Sequence, residues 1–189
     1  MKRILLLLAF VGALSMTFAQ KSAYTIDTQG SSLKWEAKKV IGGHVGTIQL
    51  QSGQVQTQNG QITGGSFQID MNSLVCTDAP KLTGHLKNED FFDVPNHPTA
   101  TFVITKVDNS KPSPVITGNL TIKNITKSIS FPAKVIASTN DMFEAEAKGI
   151  KVNRLDYDIK YRSASFFSDL GNRAIADDFT LDVHLKAKK

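Results

Sequence analysis

In the run Phe179-Thr180-Leu181-Asp182-Val183-His184-Leu185 every second side chain is apolar and every intervening one is polar. A β-strand turns successive side chains to opposite faces, so a run of this kind has one dry face and one wet face. The pattern recurs at least seven times. Phe67, Ile69 and Met71 alternate with Gln68, Asp70 and Asn72; Phe143, Ala145 and Ala147 alternate with Glu144, Glu146 and Lys148. Leu33, Trp35 and Ala37 form another set, as do Ile116, Leu120 and Ile122 around Gly118, Ile129, Phe131, Ala133 and Val135, and Leu155, Tyr157, Ile159 and Tyr161. Turn signals separate the runs at Asn59-Gly60, Lys111-Pro112-Ser113-Pro114, Lys123-Asn124 and Thr139-Asn140-Asp141. Short connections favour antiparallel pairing of neighbours. No series of long amphipathic segments is present to lie across a flat sheet, so the sheet is predicted to curl on itself as a barrel or a two-layer sandwich.

One stretch breaks the alternation. Between Cys76 and Phe92, Leu82 and Leu86 fall on one side and Lys81, Lys87 and Glu89 on or near the other, with Asp78 as a candidate N-cap and Pro80 in the first turn. The spacing predicts one short helix over about Pro80 to Glu89, covering an opening or an edge of the sheet. Phe91 and Phe92, just past its end and ahead of Pro95, are then expected to plug into the apolar interior.

The N-terminus reads differently. Lys2 and Arg3 precede an apolar run from Ile4 to Leu14, and Thr17-Phe18-Ala19 sets small residues where a signal peptidase cuts. Residues 1–19 are predicted to be a signal peptide, which leaves residues 20–189 as a single domain destined for the periplasm or for secretion. Gln20 follows the predicted cut, so the usual lipid-anchor cysteine is missing there. No later segment has the length of about 20 apolar residues that a membrane helix needs. With Lys2 and Arg3 removed, the formal charge of +5 falls to +3 and its basic residues are dispersed, which argues against nucleic-acid binding. The single cysteine, Cys76, has no partner for an internal disulfide and is expected to be a partly buried small residue.

Catalytic constellations are absent from the pattern: no nucleophile sits in a Gly-x-Ser-x-Gly elbow, and Gly42-Gly43-His44-Val45-Gly46 is glycine around a histidine in a strand or turn. His44, His85, His97 and His184 lack the i, i+4 or cysteine-paired spacing of a metal site. They are expected to be solvated or capping histidines, and no cofactor is expected. Asn124-Ile125-Thr126 is read as a turn rather than as a glycosylation acceptor.

His85-Leu86-Lys87-Asn88-Glu89-Asp90-Phe91-Phe92, followed by two prolines and Thr101-Phe102, resembles the motif of the YceI-like family, as does Gly118-Asn119-Leu120-Thr121-Ile122-Lys123-Asn124-Ile125-Thr126-Lys127. The resemblance extends from about Tyr24 to the C-terminus. It departs from the family pattern at Lys87, at His97, at the segment Lys81-Leu82-Thr83-Gly84, and in a long polar stretch from Tyr161 to Asp178.

The resemblance implies an all-β, closed, antiparallel lipocalin-like barrel of about eight strands with one short helix. It also implies an exported binding protein, not an enzyme, whose interior holds a long-chain isoprenoid, an isoprenoid quinone or a fatty lipid. The positions expected to line that interior are Phe67, Ile69, Met71, Phe91, Phe92, Phe102, Leu120, Ile122, Ile129, Phe131, Ala133, Phe143, Ala145, Leu181 and Val183. An eight-stranded barrel is just wide enough either to be filled by side chains or to hold one small ligand. Two readings therefore stand: a lipid carrier or buffer, and a ligand-free structural or stress-protective barrel acting through its surface. Pairing of two barrels as a homodimer is left open.

Overall fold

A computed structural model describes residues 20–189; the predicted signal peptide lies outside the described residues. Ten strands follow in chain order: β1 (Lys21–Ile26), β2 (Ser32–Lys39), β3 (Gly43–Gln58), β4 (Gln61–Cys76), β5 (Thr99–Asp108), β6 (Val115–Ile122), β7 (Ile125–Pro132), β8 (Lys134–Ser138), β9 (Met142–Asn153) and β10 (Ile175–Lys188). One helix, α1 (Leu82–Lys87), lies between β4 and β5. Every ladder between named strands is antiparallel.

The ten strands make eight staves. β1 and β2 share one slot between β3 and β10: Tyr24 pairs with Val55 near one end of β3, and Trp35 pairs with Gly46 near the other. β7 and β8 share a second slot. β7 runs along β6, from Ile125 opposite Ile122 to Pro132 opposite Val115, while β8 turns its other edge to β9, with Val135 opposite Ala145. The alternating run Ile129 to Val135 is therefore two strands, broken where Pro132 lacks an N–H and the Ala133 N–H donates to Pro114 O at 2.8 Å. Closing a sheet requires local bends. These lie at register shifts in β3–β4, β5–β6, β8–β9, β9–β10 and β2–β10.

Two predicted turns have the left-handed backbone that two-residue hairpins need: Asn59 and Gly60 at φ 51° and 79°, and Lys123 and Asn124 at 51° and 61°. The Asn59-Gly60 end is laced together by side chains. The Tyr24 hydroxyl donates to Thr139 O at 2.5 Å, Asn109 Nδ2 to Ile62 O at 3.0 Å, and Gln20 Nε2 to Asn140 Oδ1 at 3.2 Å.

The helix stands at the opposite end and is shorter than the spacing predicts. Lys81 takes the N-cap position without a side-chain bond. Asp78 is not the cap: its carboxylate accepts from the Val45 N–H and the Cys76 thiol instead, drawing the chain after β4 back onto β3. Beyond the helix, Phe91 is buried, edge-on to His85 and tilted against Tyr161, both at 5.1 Å. Phe92 meets Phe179 of β10 edge-on at 6.3 Å.

The run from Leu155 to Tyr161 is not a strand. Arg154–Tyr157 forms a 3₁₀ turn opened by Asn153, whose side chain accepts from the Leu155 N–H, and ended by Asp158 at φ 59°. Buried Arg154 holds it in place, donating to Ile159 O at 2.8 Å, Ala176 O at 2.9 Å and Ile175 O at 3.1 Å. The turn packs against β7 and β10, and it follows β9 directly. It thus fills the seam below β8 where β7 has no ladder to β9. Tyr157 and Ile159 are both only 1% exposed, so the inward half of the alternation survives although the strand does not.

Tyr157 Oη is buried with no hydrogen-bond partner among the described residues, and burial pushes its pKa up to about 12. Because the folded state holds the proton more tightly than the unfolded chain, the stability is whole below pH ~10 and is lost as pH rises toward 12. Tyr157→Phe should therefore be neutral or stabilising at pH 7. It should also weaken the alkaline loss of stability between pH ~10 and ~12, which melting curves across that window would record. Phe91→Ala should cost about 3 to 5 kcal/mol in denaturant unfolding, the scale for a buried ring; a change within 0.5 kcal/mol would show that the ring is not part of the core.

Candidate functional site

Inside a packed core, apolar side chains lose nearly all of their accessible surface. Here many inward-facing residues do not. Phe67, Ile69, Phe102, Ile129, Phe131, Leu181 and Val183 remain half-buried although their side chains face the barrel axis. The space they border forms two apolar chambers in line. The upper one, toward the Asn59-Gly60 end, has a volume of about 130 Å³; the lower one, toward α1, about 100 Å³. Leu33, Ile69, Leu120 and Leu181 line both and form the waist between them.

All fifteen predicted interior positions line one chamber or the other. Phe67, Phe102, Ile129, Phe131, Ala133, Phe143, Ala145 and Val183 belong to the upper chamber, Met71, Phe91, Phe92 and Ile122 to the lower, and Ile69, Leu120 and Leu181 to both. Ala133, Ala145 and Ala147 converge from β9 and the β7–β8 break, and their small side chains make room for the upper void. Gly118 does not contribute space in the same way. The Phe102 ring lies directly over it, and a Cβ at that position would collide with the ring. Gly46 plays the same part for Trp35, whose indole covers it.

Several lining residues lie beyond the fifteen. Leu50, Val55 and Ile62 come from β3 and β4, where a register shift between Leu50 and Ser52 throws the alternation out of phase. Leu33 and Trp35 carried a readable signal in the alternation of β2. Arg154, which lines the lower chamber, had none: a guanidinium in an apolar wall depends on three carbonyls brought together by tertiary structure, with Asp177 Oδ1 3.4 Å away.

The lower chamber approaches the surface beside α1. Its wall includes Ala37, Phe92, Ile175, Ala176 and Phe179. The β2–β10 ladder skips from Lys39–Ile175 to Ala37–Phe179, and Ala176 in the interval is exposed. Here β10 advances four residues while β2 advances two, and an exposed residue stands in the chamber wall.

The histidines stay apart from the interior. Each is paired with one carboxylate: His44 with Asp78 at 3.2 Å, His85 with Asp90 at 3.2 Å, His97 with Asp93 at 3.7 Å and His184 with Glu144 at 2.7 Å. His44, Cys76 and Asp78 bring three metal-type ligand atoms within 4.8 Å of one another. Their own hydrogen bonds account for the grouping. Cys76 is fully rather than partly buried, and its thiol donates to Asp78 Oδ1 at 3.2 Å. Burial, and then the neighbouring carboxylate, push the thiol pKa up, while the donated hydrogen bonds hold Asp78 below the usual carboxylate range.

Comparison with known proteins agrees with this architecture. A model of the YceI-like domain matches residues 24–187. A UPF0312 protein of Pseudomonas paraeruginosa, PSPA7_0523, is 41% identical over 115 residues, 61% of this chain and 58% of the relative. The chain thus spans less than two thirds of the length of the curated Pseudomonas relatives it matches. A UPF0312 protein of Vibrio parahaemolyticus, VPA0850, is 28% identical over 165 residues, 80% of this chain and 85% of the relative. Among solved structures, Burkholderia cenocepacia BcnA superposes with a TM-score of 0.69 at 20% identity, over 86% of this chain and 99% of its own. A polyisoprenoid binding domain from Saccharophagus degradans, implicated in plant cell wall breakdown, superposes with a TM-score of 0.63 at 14% identity, over 87% and 97%. At those identities the superpositions speak to the fold, whereas the domain match covers nearly all of the described chain: the protein belongs to the YceI-like family.

Proposed function

We propose that this protein is an exported carrier or buffer that holds the chain of one amphiphilic lipid, an isoprenoid or a fatty derivative, along the two chambers and performs no chemistry on it. The observation that carries the reading is the half-buried state of apolar side chains facing the barrel axis. Residues that serve only to fill a core would close on one another. Here they border two apolar spaces in line that share Leu33, Ile69, Leu120 and Leu181 as a common wall, an arrangement suited to an extended chain. A void of roughly 150 Å³ lined by aliphatic and aromatic groups stays dry and takes up a benzene, so each chamber is of a size to accept part of a slender hydrocarbon. The Saccharophagus domain's description as polyisoprenoid-binding points to the same class of ligand.

About fifteen buried methylenes at ~0.8 kcal/mol each would give roughly 12 kcal/mol gross, and an association cost of at least ~4 kcal/mol would leave about 8, the micromolar range. Chambers of about 130 and 100 Å³ hold fewer carbons than that, so micromolar binding requires the half-buried side chains around them to move apart. Apolar walls read width and length rather than head-group chemistry. The signal peptide read in residues 1–19 supports action outside the cytoplasm, where a lipid moving between membranes needs a covered path. The ligand-free barrel is favoured by the modest size of the two chambers, and occupancy separates the readings.

Ala145→Phe places a ring in the upper chamber beside Ala133 and Ala147. If the chamber is a ligand channel, this variant should fold with a melting temperature close to that of the parent and should lose displacement of a fluorescent fatty-acid probe. If the chamber is closed core, the same change overpacks it and lowers stability by about 1 to 3 kcal/mol. Mass spectrometry of the organic extract of protein purified from its own host gives the direct test. An extract without lipid, combined with unchanged probe binding by the variant, would remove the carrier reading.

A further inference from the structure

A buried indole N–H normally finds an acceptor, because leaving it unpaired away from water costs stability. That of Trp35 does not. The side chain is 8% exposed, and its Nε1 has no hydrogen-bond partner among the described residues. Trp35 lines the lower chamber. Tyr157, whose Oη is likewise buried and unpaired, lines neither chamber. Of these two orphaned donors only the indole belongs to a wall that a bound molecule would touch.

A second donor stands in the same wall. Nη1 of a guanidinium carries a pair of protons, and that of buried Arg154 makes a single contact, to Ile159 O at 2.8 Å. No other side chain lining the lower chamber carries nitrogen or oxygen. The upper chamber has no such donor: its one polar lining residue is Glu146, whose carboxylate is held by Lys148 at 3.2 Å. The two chambers therefore differ in chemistry as well as in place.

Indole and guanidinium donate hydrogen bonds and cannot accept them. A hydroxyl would accept from them but would find no side-chain acceptor in the wall for its own proton, whereas a carbonyl oxygen has no proton to place. The guanidinium also has a counter-charge already, with Asp177 Oδ1 3.4 Å from Nη2, so a neutral head suits the wall better than an anion. We infer that Trp35, with Arg154 in the same wall, is a head-group subsite for a neutral carbonyl oxygen, that of an ester or a ketone. The lipid then lies with its oxygenated end in the lower chamber and its hydrocarbon tail in the upper one. This assignment rests on the carrier reading and adds to it a direction for the ligand and a class of head.

The chain has one tryptophan, so a nitrogen–proton correlation spectrum shows a single indole N–H resonance, which moves downfield when that group gains an acceptor. Methyl laurate should move it downfield, and tetradecane, of the same chain length, should not. In displacement of bound diphenylhexatriene the parent should take methyl laurate roughly fivefold more tightly than tridecanol, the effect of one net hydrogen bond. Trp35→Phe keeps a ring over Gly46 and removes the donor. It should lower the affinity for methyl laurate, relative to that for tetradecane, by about the same factor. An indole resonance that stays in place while methyl laurate displaces the probe overturns the subsite. So does tridecanol binding as tightly as the ester, or an ester-to-alkane ratio unchanged by Trp35→Phe. The resonance is read on the parent and decides the matter even if the variant fails to fold. If neither methyl laurate nor tetradecane binds the parent, the carrier reading falls and the subsite with it; if both bind and the indole does not respond, the subsite alone is lost.

Discussion

The barrel depends on the few residues from Phe131 to Lys134. A curled sheet with one apolar face is stable only when its last stave meets its first partner, and here a single short slot must satisfy β6 on one side and β9 on the other. Pro132 has no N–H to give to a ladder, and Ala133, directly after it, turns its own N–H to Pro114. The strand is released at the point where it has to change partner. The same break leaves a gap lower down, between β7 and β9, which the Arg154–Tyr157 turn occupies. Closure and the small alanine-lined upper chamber therefore have one origin, because Ala133 sits at the break and lines the void.

At the other end the sheet is irregular. The register of β2 and β10 shifts beside Ala176, in the same chamber wall as Phe91 and Phe92. Phe92 against Phe179 and Phe91 against Tyr161 are aromatic contacts between separate segments rather than ladder bonds. Ring contacts can shift by a rotamer change, whereas breaking a ladder leaves backbone groups unpaired. The tied end at Asn59-Gly60 and the aromatic end at α1 thus differ in what an opening there would cost. On the carrier reading, a hydrocarbon chain would enter at the aromatic end.

Much of this was legible in the amino-acid order. Alternation with period two marks a dry face wherever the strand is regular, and so Phe67-Ile69-Met71, Phe143-Ala145 and Leu181-Val183 could be placed inside with no knowledge of their neighbours. The interruption at His85 to Phe92 was equally plain. What could not be read were features set by contacts distant in sequence. Alternation persists through Tyr157 and Ile159 although Arg154 holds that segment in a 3₁₀ turn, since the three carbonyls that bind the guanidinium are fixed only once β10 is in place. Gly118 reads as an empty position, yet Phe102 from the adjacent strand fills it. Asp78 has the residue type and position of a helix cap, but the Val45 N–H and the Cys76 thiol compete for its carboxylate, and the helix begins later without it.

Cys76 illustrates a further consequence. The reactivity of a thiol follows its thiolate fraction and its accessibility. Burial with a carboxylate acceptor keeps this sulfur protonated, and the folded barrel leaves it no exposed surface. Two folded copies cannot be cross-linked through it, and no cysteine pairing has to be sorted during folding. The chain can therefore mature in an oxidising environment without a disulfide oxidase or isomerase, and the period of hazard for its one thiol ends when β4 docks on β3.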